Sequence, residues 1–176
     1  FFLNVLPAWC DELSLLSEEV YNGDVAVVRW QGEPLSFGVL RFLDKVFYLY
    51  PDSDGAIALL PVGLDVAAGT YPVLAAMLDF QGRSTTAELS LQIVYKVRPE
   101  EHLTLPEKMV SPNAKDVARI KQEGSLLNEV FAMRSPRLWT TFEQPVDGSV
   151  SSIFGKRRTM NGKAKSPHSG TDYRSP

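Results

Sequence analysis

His168 and Asp172, four residues apart with Gly170 between them, are the residues of this sequence with the most distinctive chemistry. A neutral imidazole nitrogen and a carboxylate oxygen both bind zinc at about 2.0–2.2 Å, and zinc takes four ligands in a tetrahedron. In an extended segment this spacing returns both side chains to one face, and in a turn the glycine relieves backbone crowding. Taken alone, the spacing suits either two ligands of one ion or an ordinary hydrogen-bonded surface pair.

Five basic residues precede this pair within ten positions, with no acidic residue among them: Lys156, Arg157, Arg158, Lys163 and Lys165. Such a cluster has two interpretations, a site for an anionic ligand or a solvated basic loop. The formal net charge of the whole chain is −3. A nucleic-acid partner that binds through a general basic field is therefore not expected.

The first residues of the chain also have two interpretations. Residues 1–8 are mostly apolar and end in a small residue, which suits either the remnant of an export signal or a first β-strand. Cys10 is the only cysteine, so an intrachain disulfide is excluded. No stretch of the sequence is long and apolar enough to predict a transmembrane helix.

Residues 1–98 are predicted to form an all-β module, because short β-branched and aromatic runs from residue 23 onward are separated by turn sequences. Strands are predicted near residues 24–30, 37–50, 56–62, 71–80 and 86–97. In the last of these, Ala87, Leu89, Leu91 and Ile93 alternate with polar residues, which predicts one buried face and one wet face. The regular spacing of strands predicts a small antiparallel sandwich.

Residues 99–139 are predicted to form a connector with one amphipathic helix over about residues 112–133. Ser111 is expected to be the N-cap and Pro112 the first helical residue. Gly124 lies inside this helix and lowers its intrinsic stability. Residues 140–176 are rich in glycine and polar residues, and they are expected to be the opening part of another domain because they are too few to bury a core.

Residues 144–176 resemble the first part of the lysostaphin/LytM-type zinc metalloendopeptidases of bacterial cell walls. In that family a P-x-x-G turn and an S-x-F-G-x-R strand lead to the motif H-x-G-x-D-[FY]. This chain has P-V-D-G at 145–148, S-I-F-G-K-R at 152–157 and H-S-G-T-D-Y at 168–173. The β module and connector are also similar, more loosely, to the N-terminal region of exported members, in which an immunoglobulin-like module precedes the peptidase.

The resemblance implies a fold and a metal site. The expected fold is mainly β, with an antiparallel immunoglobulin-like sandwich, a helical connector and the first strands of an incomplete antiparallel peptidase domain. His168 and Asp172 match the first two zinc ligands. The resemblance implies that the third ligand is the second His of a distal H-x-H motif, and that the first His of that motif and another His upstream of it assist the water or stabilise the oxyanion. None of these three has a counterpart here, where the only other histidine is His102. His102 is not expected to be the third ligand, because it lies in the connector and outside every motif of the family.

The function implied by the resemblance is hydrolysis of peptide cross-links in peptidoglycan by an exported, periplasmic or envelope-located zinc enzyme. Arg157, Arg158 and Asn161 are candidates for lining the substrate groove, or alternatively they serve only solubility. With two ligands, this chain alone is expected to be inactive and to bind zinc weakly or not at all. The alternative is a non-catalytic envelope adaptor or hydrolase activator with a degenerate peptidase domain.

Overall fold

The computed structural model describes residues 11–133 and 135–174, and the protein is mainly β, as predicted. The chain divides after Lys96 into two compact units, residues 1–96 and 97–176. The two interpretations of residues 1–8 and the prediction for Cys10 concern residues outside the described part of the chain.

The described residues of the first unit contain nine strands. Their bounds are β1 Glu12–Leu15, β2 Glu19–Tyr21, β3 Val25–Gln31, β4 Leu35–Phe42, β5 Lys45–Tyr48, β6 Tyr50–Asp52, β7 Gly55–Pro61, β8 Gly69–Asp79 and β9 Ser84–Val94. The predicted strand over 37–50 is divided into β4 and β5 by a turn in which Leu43 has φ 52°. The strands β1, β2 and β6 were missed by sequence reasoning because three or four residues are too few to show a period.

The nine strands form two sheets. One sheet has the order β1-β3-β7-β6 and the other has the order β2-β9-β8-β4-β5. Every pairing in the two sheets is antiparallel except that of β2 with β9, which is parallel. The central ladder between β8 and β9 extends from Gly69, opposite Ile93, to Leu78, opposite Ser84.

A hydrophobic core lies between the two sheets. Buried side chains come from both of them: Ala26, Val28, Trp30, Ala56, Ala58 and Leu60 from one, and Val20, Leu40, Phe42, Val73, Ala75, Met77, Leu91 and Ile93 from the other. The alternation predicted for β9 is confirmed, since Leu91 and Ile93 are buried while Ser90 and Gln92 are exposed. The first unit is therefore a two-sheet sandwich stabilised mainly by apolar burial.

Two buried polar side chains fix turns at the edges of this core. Asn22 donates to the carbonyl of Leu64 at 2.7 Å and accepts from the amide of Lys96 at 2.9 Å. Asp79 accepts hydrogen bonds from the backbone and side chain of Arg83 in the β8–β9 turn. Burial opposes ionisation of Asp79, but the hydrogen bonds from Arg83 outweigh it and hold the pKa of this carboxyl below its ordinary value.

The described residues of the second unit contain short strands and two helices. The bounds are β10 Glu100–Leu103, α1 Glu107–Val110, α2 Ala114–Ala132, β11 Val150–Ser152, β12 Arg157–Met160, β13 Lys163–Lys165 and β14 Asp172–Tyr173. One sheet has the order β10-β12-β13, and β11 pairs with β14. The connector thus supplies the strand β10, which is parallel to β12, so the second unit is not purely antiparallel.

The helix α2 lies within the predicted range, but the predicted cap was wrong. Asn113, rather than Ser111, is the N-cap, and its side chain accepts from the amide of Asp116 at 3.0 Å. Ser111 instead ends α1, where its hydroxyl donates to Glu107 at 2.7 Å. Asparagine and serine are equally good N-caps, so residue type alone does not choose between neighbouring positions.

No residue of α2 is buried. Within residues 11–133 and 135–174, neither helix combines the length and the apolar composition needed to cross a bilayer.

Candidate metal centre

Two local pairings bring His168 and Asp172 together. The backbone of His168 donates to the carbonyl of Lys156 at 2.9 Å and accepts from the amide of Gly155 at 2.8 Å. Gly155 has φ 76°, a conformation in which glycine is strongly favoured. Asp172 begins β14, where it lies opposite Ser152 of β11. The sequence motifs around 152–157 and 168–173 are therefore in direct contact.

The imidazole of His168 is held on one side and faces a carboxylate on the other. Its Nδ1 lies 3.1 Å from the carbonyl oxygen of Ile153 and 3.3 Å from the hydroxyl of Ser152. Its Nε2 lies 3.2 Å from Oδ1 of Asp172. The imidazole is mostly covered, with 11% of its surface exposed, whereas the Asp172 side chain is 54% exposed. Solvent and small ions can therefore reach the pair from the side of the carboxylate.

This geometry fits two ligands of one zinc ion. With zinc–ligand bonds of about 2.0–2.2 Å at a tetrahedral angle, two ligand atoms lie about 3.3–3.5 Å apart. The separation of 3.2 Å between Nε2 and Oδ1 is close to this value. A ligating histidine also usually donates its other ring N–H to a carbonyl or carboxylate, and the Ile153 carbonyl is placed to accept it.

The tautomer of His168 determines what can lie between its Nε2 and the Asp172 carboxylate. When Nδ1 carries the proton that it donates to Ile153, the lone pair of Nε2 points at an oxygen of Asp172. Two acceptors at this distance repel each other unless a cation or a second proton lies between them. The pair therefore suits a neutral imidazole that shares a metal ion with the carboxylate. It equally suits an imidazole whose Nε2–H donates to Asp172 while Nδ1 accepts from the hydroxyl of Ser152.

Arg158 is the charged residue next to this pair. Its Nη2 lies 3.3 Å from the hydroxyl of Ser152 and 3.9 Å from Oδ2 of Asp172. On its other side, Nε donates to Oε2 of Glu101 at 3.0 Å. Lys156 donates to the second oxygen of the same carboxylate at 2.7 Å. Arg158 is thus placed between two carboxylates and is bonded closely to Glu101.

The alignment of β10 with β12 produces this arrangement. In the parallel register, Glu100 lies opposite Arg157 and Glu101 opposite Arg158. Hydrogen bonds from Lys156, and then from Arg158, hold the pKa of the Glu101 carboxyl below its ordinary value. The two glutamates of β10 therefore pair with the two arginines of β12.

The three groove candidates have different surroundings. Arg158 adjoins the His168–Asp172 pair, while Arg157 lies 3.8 Å from Glu100. Asn161 has φ 49° in the β12–β13 turn, and its side-chain amide donates to the carbonyl of Leu105 and accepts from its backbone N–H. The amide of Asn161 therefore ties the turn to the connector. Arg158 approaches a predicted zinc ligand, since its Nη2 lies 3.9 Å from Oδ2 of Asp172.

The remaining histidine lies on β10. His102 is exposed and lies opposite Thr159, and strand alternation places it on the face opposite that of Glu101. No group of three or more His, Cys, Asp or Glu side chains in the described part of the chain is arranged to hold a metal ion. Within these residues, the structure brings together the two predicted ligands, His168 and Asp172.

Sequence reasoning missed Glu101 and Ser152 as parts of this site. Glu101 precedes Arg158 by 57 residues, so no local period connects the two. The signal present in the sequence was complementary charge: two glutamates at 100–101 and two arginines at 157–158. Ser152 lies inside the S-x-F-G-x-R stretch, a pattern that predicts a strand and gives no sign of contact with the imidazole.

Comparison with known proteins gives no assignment, since no protein-family model and no curated protein matches the chain. An assignment of function therefore depends on the chemistry of the residues themselves.

Proposed function

We propose that this protein is a zinc metalloendopeptidase acting on peptide cross-links of peptidoglycan, with His168 and Asp172 as two of its zinc ligands. The observation that carries the proposal is the approach of Nε2 of His168 to Oδ1 of Asp172 at 3.2 Å, with Nδ1 against the carbonyl of Ile153. The order of the three motifs along residues 145–173 supports the same class of enzyme. An exported or periplasmic location belongs to this proposal.

Each residue of the site has a task in this proposal. His168 and Asp172 hold the ion, and the Ile153 carbonyl selects the tautomer that leaves Nε2 free to bind it. When bound, zinc lowers the pKa of its water toward 7 and polarises the scissile carbonyl. Arg157, Arg158 and Asn161 are proposed to face carboxylates of the cell-wall peptide, with Arg158 nearest to the ligands.

The proposal is tested by incubating the full-length gene product with purified peptidoglycan and measuring release of soluble peptides. We expect zinc-dependent hydrolysis that His168→Ala and Asp172→Ala each abolish, because a catalytic zinc needs three protein ligands. His102→Ala is the matched control, since His102 is the other histidine of residues 1–176 and lies outside the H-x-G-x-D motif. Loss of activity in all three variants alike would contradict the assignment of the ligands.

The same assay separates the enzyme from the adaptor. A full-length protein that binds zinc but hydrolyses no cross-link, and that stimulates a separate peptidoglycan hydrolase, would contradict the proposed activity and support the adaptor function. The residue-level comparison of His168 with His102 remains informative in either case, because zinc binding is measured independently of hydrolysis.

A further inference from the structure

We propose that Glu101, a residue of the connector strand β10, is a positioning residue for the metal ligand Asp172, and that it acts by restraining Arg158. This inference rests on the proposed function in that Asp172 is taken as a zinc ligand. It assigns to the connector a part in the site that the motifs of residues 145–173 do not contain.

The contacts form a chain from the connector to the ligand. Glu101 accepts from Nε of Arg158 at 3.0 Å, and Arg158 approaches Oδ2 of Asp172 at 3.9 Å. The other oxygen of Asp172, Oδ1, faces His168 at 3.2 Å. Because 3.9 Å exceeds hydrogen-bond length, Arg158 attracts Asp172 without taking Oδ1 away from the imidazole.

Charge explains why Glu101 controls this balance. Arg158 lies opposite Glu101 on one neighbouring strand and opposite Lys165 on the other, and Lys156 shares the Glu101 carboxylate. Arg158 and Glu101 are each about a quarter exposed, at 23% and 27% of their side-chain surface, so water screens their ion pair only in part. Removing the charge of Glu101 leaves Arg158 repelled by the two lysines and attracted by Asp172.

The consequence of losing Glu101 follows from this geometry. A guanidinium released from Glu101 is free to form a short, bidentate pair with the Asp172 carboxylate. Such a pair turns Oδ1 away from Nε2 of His168 and competes with a metal ion for the same oxygens. Glu101 therefore keeps the Asp172 carboxylate available to the metal, although it lies on a strand outside the ligand motif.

The test compares Glu101→Gln with Glu100→Gln by NMR, using ZnCl2 as the probe. Glu100 is a matched control because it lies on the same strand and its contact is with Arg157. We expect Glu101→Gln to weaken the zinc response of the His168 ring about tenfold, the lower bound for an outer-shell partner, and Glu100→Gln to leave it unchanged. Glu101→Asp is expected to recover part of the affinity.

The double variant Glu101→Gln/Arg158→Gln distinguishes positioning from a structural role. Removing Arg158 as well removes the competitor for Asp172, so we expect the double variant to bind zinc more tightly than Glu101→Gln alone. A structural defect would be made worse by the second substitution. A double variant as weak as Glu101→Gln or weaker, with folding intact by circular dichroism, would overturn the inference.

A metal-free measurement separates this inference from the proposed function. The three-bond couplings of the Asp172 β-protons report its rotamer, and we expect Glu101→Gln to change them while Glu100→Gln does not. If His168 of the unsubstituted chain ignores zinc, the metal centre is refuted while the couplings still decide the positioning. If zinc binds but neither readout responds to Glu101→Gln, the positioning inference is refuted alone.

Discussion

The two units of this protein are ordered by different forces. In the first, sixteen buried apolar residues form one core between two sheets. In the second, among residues whose burial the structure describes, only Gly155 is buried. Its order comes from short backbone pairings and from ion pairs such as those of Glu101. The candidate metal centre lies in the unit that depends on polar contacts, so it should respond to charge and pH more than to apolar truncation.

The helix α2 shows the same contrast at the level of one element. It spans 19 residues, yet none of them is buried. Isolated helices of this length are marginal in water, and helices in proteins draw most of their stability from packing. Its local supports are the Asn113 cap and the Arg119–Glu123 pair at 2.7 Å. Such contacts each contribute little stability. Because no side chain of α2 is buried, removing one apolar side chain from it should change the free energy of unfolding only slightly.

The largest expected effect is in the core of the first unit. Leu60 is fully buried, whereas Leu126 on α2 is 61% exposed. We expect Leu60→Ala to lower the free energy of unfolding of the first unit by about 2–5 kcal/mol, through lost transfer energy and a residual cavity. Leu126→Ala should change stability by less than about 0.5 kcal/mol. Urea unfolding followed by circular dichroism measures the stability of both variants. Equal losses would show that the buried core does not stabilise the protein more than the exposed helix does.

A smaller effect is expected from the buried polar anchor. Asn22→Ala leaves the Leu64 carbonyl and the Lys96 amide without these side-chain partners. We expect a loss of about 1–3 kcal/mol, because two hydrogen bonds worth about 0.5–1.5 kcal/mol each are removed. Asn128→Ala on the exposed face of α2 is the matched control. A cost for Asn22→Ala no larger than that of its control would show that Asn22 does not fix the edge of the core.

The smallest effect concerns the pH dependence of the β10–β12 pairing. The pKa of Glu101 is held below its ordinary value of 4.5, so its stabilising effect is present above that pH and is lost as pH falls through the lower, folded-state pKa. Amide-exchange protection factors of Arg157 and Asn161, which donate to Pro99 and Leu103, measure this pairing. We expect protection to fall on acidification, and Glu101→Gln to lack that step. An identical acid profile in the variant would refute the assignment.

The features that were predicted correctly from the sequence are those with a local hydrophobic period. The alternation in β9 gave the buried positions Leu91 and Ile93, because strand geometry repeats every two residues. Helical spacing likewise located α2 to within two residues. The N-cap was predicted wrongly as Ser111 instead of Asn113, because two good capping residues lie two positions apart and residue type does not distinguish them.

Only part of the candidate site could be predicted from local sequence patterns. The spacing of His168 and Asp172 predicted that they meet, and the structure brings Nε2 and Oδ1 to 3.2 Å. The contact of Glu101 with Arg158 depends on a parallel pairing between residues 57 positions apart. Non-local register of this kind leaves no period in the sequence, and only the opposed charges of the two strands hint at it.

Zinc titration of the His168 and His102 rings by NMR at about pH 7.5 determines whether His168 and Asp172 bind a metal ion together. We predict that the His168 ring responds at about tenfold lower zinc concentration than the His102 ring, because two converging ligands hold an ion better than one. Asp172→Ala should remove that advantage. Equal responses of His168 and His102, unaffected by Asp172→Ala, would show that His168 and Asp172 do not bind a metal ion together.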